Sequence, residues 1–300
     1  MSVIESTQPT LPDPKGSGHA GTRTMVASEW TKFRSIRSSW VSLLIVIIAG
    51  IGFAALFSAV FANHWPRSSP ADRLQFDPVR ISQSGSFISE IVVGVLGALI
   101  VTSEYTTGSI RTTLASIPKR ASMASAKAIV LGVVLFVVCE VTAFVAFFVS
   151  QAVLLASGGK QLAKGASIVS QLHLDKVPVL SISSSGVAMA VFREAIFLTL
   201  MGLLAMGLGL LLRNTTGTIS LYVGILLILP ILLQLLPASI HDHVLPYMPS
   251  NLGVAMATVA SRKTDFAGNL VGPWEAMILA VGYVIIILGA GIALLRKRDA

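Results

Sequence analysis

Six long runs of mostly apolar residues constrain this chain more than any other feature of its sequence. They cover Val41–Ala62, Phe87–Thr102, Ala128–Leu155, Val187–Leu212, Ile219–Leu236 and Trp274–Leu295. A helix needs roughly 20 such residues to cross a bilayer, and only helices and closed barrels satisfy every backbone polar group in hydrocarbon. The runs therefore predict an all-α polytopic membrane protein with six transmembrane helices.

Composition supports this class and excludes others. The chain is 54% hydrophobic and only 12% charged, whereas a soluble domain carries about 25% charged residues. A soluble globular fold, a disordered chain and a collagen-like fibre are therefore excluded. The one cysteine, Cys139, rules out an internal disulfide framework and a Cys-rich zinc site.

The distribution of basic residues predicts the orientation of the six runs. Thirteen Lys and Arg fall before the first run, between the second and third, between the fourth and fifth, or after the sixth, and eight fall on the other side. The positive-inside rule then predicts that both termini are cytoplasmic. The net charge of +8 is thereby explained by topology and anionic lipid rather than by nucleic acid.

Three regions follow from these patterns. Residues 1–25 are rich in Pro, Ser, Thr and Gly and predict a disordered cytoplasmic tail. Residues 26–40 predict an amphipathic interfacial helix, and residues 41–296 the six-helix transmembrane domain. The apolar side of the amphipathic helix consists of Val26, Trp30, Phe33, Ile36 and Trp40.

The amphipathic segment has two interpretations. Arg34 and Lys32 flank its apolar side, although Glu29 interrupts that side. Such a helix lies in the membrane interface with its indoles at headgroup level. It is either a charged anchor for the first span or an elbow helix that also contacts a cytoplasmic partner.

The segment between the second and third runs is short, polar and basic. It reads EYTTGSIR from Glu104 to Arg111 and continues to Pro118. Gly108 can take backbone conformations that other residues avoid, and a short helix after it would end before the proline. Such a helix would transmit a push from a soluble subunit into the bilayer. A plain basic connector would explain Arg111 but not Glu104 or Gly108.

Two stretches of sequence resemble a known family. The run EYTTGSIRTTLASIPKR is similar to the loop after the second span in type-2 ABC transporter permeases, and SEWTKFRSIRSSW resembles their N-terminal amphipathic segment in its actinobacterial form. The resemblance implies that the loop contacts a separate ATPase subunit through Glu104, Tyr105, Gly108 and Arg111. It also implies export, a second permease copy as homodimer or heterodimer, and two ATPase subunits. ATP and Mg would be bound by those ATPases on the cytoplasmic face, and this chain would lie in a bacterial plasma membrane.

Other chemistry is sparse in the sequence. There is no G-x-x-x-x-G-K-[ST] phosphate loop, so ATP hydrolysis is expected on another polypeptide. We expect neither an enzyme, nor a cofactor, metal or nucleic-acid site in this chain. An apolar interior fits lipid, peptide, drug or polysaccharide cargo.

A few charged residues and one proline fall inside or beside the apolar runs. Glu140 is expected near mid-membrane, where it is protonated, hydrogen-bonded to a neighbouring helix or facing a wet cavity. Arg193 is expected to extend to the surface, and Glu90 to be interfacial. A Glu140–Arg193 pair is not expected, because their depths differ by about 10 Å. Pro230 predicts a kink in the fifth span.

Two rival functions stay open on the sequence. An ion-coupled secondary carrier would use Glu140 as a proton relay and would need no ATPase. A membrane scaffold would carry no substrate.

Overall fold

The computed structural model describes residues 22–106, 120–162, 175–259 and 270–297. Gly108 and Arg111, two of the predicted coupling residues, therefore lie outside the described residues. Within the described part, six helices are long and apolar enough to cross a membrane. The prediction of an all-α polytopic membrane protein is confirmed.

The α-helices follow one another along the chain. Their bounds are α1 Thr22–Ser35, α2 Arg37–His64, α3 Pro70–Gln75, α4 Pro78–Ser82, α5 Ser86–Thr106, α6 Arg120–Ala156, α7 Val187–Leu212, α8 Thr215–Val223, α9 Leu229–Leu233, α10 Ala238–Val244, α11 Pro249–Ala257 and α12 Pro273–Lys297. Between α6 and α7 lies a short parallel strand pair, β1 (Lys160–Gln161) with β2 (Pro178–Val179).

Helix α7 is the centre of the bundle. In its most apolar stretch 72% of residues are buried, against 22% in α12 and 17% in the span formed by α8 and α9. Helix α5 packs against α7 so closely that a Cβ added at Gly97 would overlap the carbonyl oxygen of Gly202. Small residues permit this backbone contact, which is how helices associate where no hydrophobic effect drives them together.

The fifth span changes its hydrogen bonding next to its proline. Residues Gly224–Ile228 form a π-helical turn directly before α9, which carries Pro230 in its first turn. Proline has no N–H to donate to the preceding turn, and a single π turn beside it is a rarer feature that also bends a helix.

The predicted interfacial helix over 26–40 is wrong at its C-terminal end. Helix α1 ends at Ser35, Ile36 is extended with φ −88° and ψ 109°, and Trp40 lies in the first turn of α2. Two side chains satisfy carbonyls that the helix end would leave free. Ser35 Oγ donates to the carbonyl of Lys32 at 2.7 Å, and Trp40 Nε1 donates to that of Arg34 at 3.1 Å.

Candidate functional site: a buried ion cluster beside the second and third spans

Four charged side chains meet where α1, α5 and α6 come together. Lys127 Nζ donates to Glu29 Oε2 at 2.7 Å and to Glu104 Oε1 at 2.9 Å. Lys32 Nζ lies 3.4 Å from Glu29 Oε1 and 3.2 Å from Glu104 Oε1. We refer to these four side chains as the ion cluster. Each carboxylate is shared by both ammonium groups, so the cluster joins the three helices.

Two members of the cluster are buried and a third is mostly buried. The side chains of Glu29, Lys127 and Glu104 are 6%, 8% and 13% exposed, whereas that of Lys32 is 44% exposed. A buried charge is costly unless it is paired and hydrogen-bonded. Separating α1 from α5 or α6 would therefore break buried ion pairs. The crevice beside the cluster measures about 50 Å³, which is room for one or two water molecules.

Lys32, the partly exposed lysine of the cluster, has a raised pKa. Burial lowers the pKa of Lys32, but the carboxylates of Glu104 and Glu29 outweigh that effect and raise the pKa above 10.5. Lys32 is therefore charged at neutral pH. Arg34, on the same helix, is exposed.

The face of α1 that packs against the bundle differs from the predicted apolar side. Its buried residues Met25, Glu29 and Phe33 follow one another at four-residue spacing, which places them on one face. Trp30 and Trp40 stay 43% and 47% exposed and lie beside Phe33 with ring centroids 6.3 and 6.4 Å away. Glu29, which interrupts the predicted side, is thus the residue that gives α1 its ionic contact.

A second contact ties the end of α5 to the turn between α7 and α8. The guanidinium of Arg213 lies 5.4 Å from the ring centroid of Tyr105, within the range of a cation–π interaction. Arg213 ends α7 in the left-handed region at φ 54°, and Asn214 then caps α8 by accepting from Gly217 N at 2.9 Å. The two predicted coupling residues that the structure describes, Glu104 and Tyr105, are thus both held against the bundle.

The ion cluster flanks the predicted coupling loop on both sides. Glu104 and Tyr105 stand near the end of α5, and Lys127 stands in the second turn of α6, with residues 107–119 between the two helices. The contacts of Lys127 with Glu29 and Glu104 therefore link both helix ends to α1. Chemically the cluster is suited to holding three helices in register.

Sequence reasoning missed Glu29 and Lys127. The signal was present, because an acid on the apolar side of a helix requires a buried cation, and Lys127 directly precedes the predicted third run. The two residues are 98 positions apart, so local periodicity does not pair them.

At the opposite end of the bundle, the prediction that Arg193 extends to the surface is wrong. Arg193 is 3% exposed. Its Nε donates to the carbonyl of Met256 at 2.8 Å and its Nη2 to that of Thr258 at 2.9 Å. Both carbonyls end α11, where a cation also interacts favourably with the helix dipole. As expected, Arg193 does not pair with Glu140.

Glu90, which is expected to be interfacial, stands in the first turns of α5 and is 7% exposed, so it is buried against the bundle. Glu194, the neighbour of Arg193 in the chain, is 2% exposed. Glu140 is partly buried, and its Oε2 has no hydrogen-bond partner among the described residues. The described helices therefore do not supply the hydrogen bond that was one of its three predicted environments.

The fold defines a class of protein, a multi-pass helical membrane protein whose N-terminal helix is ionically tied to its second and third spans. Residues 25–172, about half of the chain, match the family described as ABC-2 family transporter protein. The match runs from α1 through α6 and includes the ion cluster. It confirms the resemblance to type-2 ABC transporter permeases, which are membrane components of transport systems. No curated protein matches the chain.

Proposed function

We propose that this chain is the membrane-spanning permease subunit of an ATP-driven exporter. A separate ATPase subunit, present in two copies, binds ATP and Mg and docks on the cytoplasmic face. A second permease completes the transport path. The observation that carries the proposal is the ion cluster, which joins α1, α5 and α6 around the loop that the family resemblance assigns to the ATPase.

In this mechanism the ATPase acts on the loop, and the ion cluster passes the resulting movement between α1, α5 and α6. Closure of the ATPases on ATP displaces residues 107–119, and the displacement enters the ends of α5 and α6. Lys127 binds Glu29 and Glu104 together, so α1 follows the second and third spans. Two positions of this unit, biased by nucleotide, constitute a switch between two states of the permease.

The proposal places both termini in the cytoplasm of a bacterial cell and the chain in its plasma membrane. Labelling with a membrane-impermeant maleimide tests this orientation. Replacing the one cysteine by Cys139→Ser gives a blank background, into which Arg23→Cys and Arg67→Cys introduce exposed thiols at opposite ends of the bundle. Intact cells should label Arg67→Cys at once and Arg23→Cys only after permeabilisation. The reverse pattern would overturn the orientation.

Coupling to the ATPase is tested by copurification and ATP hydrolysis. The tagged permease is coexpressed with candidate ATPase subunits from the same genome, and hydrolysis is measured in proteoliposomes. Arg111→Glu and Gly108→Pro should lose the bound ATPase, whereas Arg67→Glu, an equal charge change at the other end, should keep it. If both loop variants retain the ATPase and its coupled hydrolysis, the loop is not the contact. Transport by the permease alone would favour an ion-coupled carrier instead.

A further inference from the structure

A cavity of about 310 Å³ lies at the end of the bundle opposite the ion cluster. Its walls come from α5, α7, α11 and the turn that follows α4. This volume falls at the small end of the range for small-molecule sites, roughly 300 to 1,000 Å³. The ring of Phe197 packs against Gly253, where a Cβ would lie 2.5 Å from the ring, so the two walls are in direct contact.

Two residues with buried carboxyl groups line this cavity. Glu90 and Glu194 both line it and are 7% and 2% exposed. Glu194 interacts with the side chain of Ser86, but Glu90 Oε1 is fully enclosed and has no hydrogen-bond partner within the described ranges. An enclosed carboxylate oxygen without a partner is costly when it is charged, and a cation that enters the cavity would remove that cost.

The nearby cations do not neutralise these carboxylates. The ion pairs formed among the described residues include neither Glu90 nor Glu194. Arg193 directs its Nε and Nη2 to the carbonyls that end α11, and Arg80, which also lines the cavity, is exposed. The buried part of the cavity therefore carries two carboxyl groups that have no ion-pair partner among the described residues.

The rest of the lining selects the kind of cation. Phe87, Phe197 and Val254 supply aromatic and aliphatic surface, which suits an apolar body, and aromatic faces also attract cations. The described residues contain no group of three or more His, Cys, Asp and Glu side chains able to hold a metal ion. An organic cation matches this combination better than an inorganic one.

We propose that this cavity binds an organic monocation with a small apolar body, its charged nitrogen lying between Glu90 and Glu194. The apolar body packs on Phe87 and Phe197. As a cargo site the cavity rests on the proposed transport function. Cation binding itself is independent of any ATPase and is measured without one.

The test uses the purified full-length chain in detergent, with neither ATPase nor nucleotide. The probe is tritiated 1-methyl-4-phenylpyridinium in equilibrium dialysis, and 4-methylbiphenyl is the uncharged competitor of the same shape. Saturable binding of the cation is expected, with little competition from the neutral compound. Glu90→Gln and Glu194→Gln should each weaken binding at least about tenfold, because each removes a buried charge partner. Glu140→Gln, a carboxylate outside the cavity, should leave the affinity unchanged.

Several results would overturn the site. They are undiminished binding in the folded glutamine variants, equal competition by 4-methylbiphenyl, displacement of the probe by Mg²⁺ or Ca²⁺, and absence of saturable binding to the folded chain. The melting profile of each variant shows whether it is folded. If only one of the two glutamine variants folds, that variant alone is enough to test the site. Cation binding without ATPase coupling would contradict the proposed function and support the cation site. ATPase coupling without cation binding would support the proposed function and contradict the cation site.

Discussion

The ion cluster depends on Lys127, and the substitution Lys127→Met tests this dependence. Methionine keeps an unbranched side chain and removes the charge. Glu29 would then stay buried and Glu104 mostly buried, and the partly exposed Lys32 would remain at 3.4 and 3.2 Å from them. The variant therefore leaves an excess of buried negative charge at the junction of α1, α5 and α6.

The size of the effect follows from burial. Removing one partner of a buried ion pair destabilises by about 3–5 kcal/mol, and the lower value of about 3 kcal/mol applies because Lys32 still screens both carboxylates. The same change at Lys32, which is 44% exposed, should cost less than about 1 kcal/mol. Since 1.4 kcal/mol is a factor of ten, Lys127→Met should raise the unfolded fraction about a hundredfold.

The assay uses the one cysteine of the chain. Cys139 lies in α6 and is fully buried, so a thiol-reactive fluorogenic dye reports unfolding on heating. Lys127→Met should melt roughly 5 to 10 °C below the unmodified chain, and Lys32→Met close to it. Equal melting of the chain and Lys127→Met would refute the reasoning.

A double substitution separates charge from packing. Lys127→Met with Glu29→Gln removes one charge of each sign and leaves Glu104 paired with Lys32. The double variant should therefore melt above Lys127→Met alone, although it carries one more change. If the decreases in stability caused by Lys127→Met and by Glu29→Gln simply add, Lys127 and Glu29 are not coupled. The cluster then does not act as an ion network.

Three further predictions use the same preparations. Gly97→Ala forces a Cβ into the backbone of the facing helix and should cost about 1–3 kcal/mol, whereas Gly282→Ala, with nothing within 4 Å, should melt normally; equal melting would contradict the close contact. Arg193→Lys keeps the charge but loses the two-donor geometry, so hydrogen exchange in residues 249–257 should accelerate, with Arg80→Lys as the unchanged control. Burial lowers the pKa of Lys32, but Glu104 and Glu29 raise this pKa by more. The ion pairs of Lys32 therefore stabilise the folded chain fully below pH 10.5, and this stabilisation is lost as pH rises through the higher folded pKa. Melting of the unmodified chain should thus fall more steeply above pH 10.5 than melting of Lys32→Met, and parallel curves would contradict this.

The transmembrane helices were predictable because apolar runs have few alternatives in a bilayer. The fourth predicted run, Val187–Leu212, matches α7 at both ends. The third begins at Ala128 in the prediction, but α6 begins at Arg120. Hydropathy shows which part of a helix lies in hydrocarbon, whereas hydrogen bonding decides where the helix ends. A prediction from apolar runs therefore leaves out charged helical turns that extend beyond the apolar core.

The buried charges were not predictable in the same way. Glu29 and Lys127 are far apart in sequence, and each resembles a surface charge in its own segment. The expected depths of Glu90 and Arg193 rest on their distance to the nearest helix end. That estimate omits α11, whose carbonyls hold Arg193 and whose residues cover the Glu90 side of the cavity. Burial by a distant segment is a property of the packing that a linear pattern does not contain.

Helix α5 connects the two proposed sites. Glu90 and Glu104 are fourteen residues apart on it, about 21 Å of helix, and Gly97 packs against α7 midway between them. Under the proposed function, a movement of the loop would therefore reach the cavity along one helix. If ATP binding to the ATPases changes the affinity for 1-methyl-4-phenylpyridinium, the cation must change the affinity for ATP by the same factor. Gly97→Ala should alter that factor while each ligand still binds alone. A cation affinity that is identical with and without ATP would show that α5 transmits nothing between the ends.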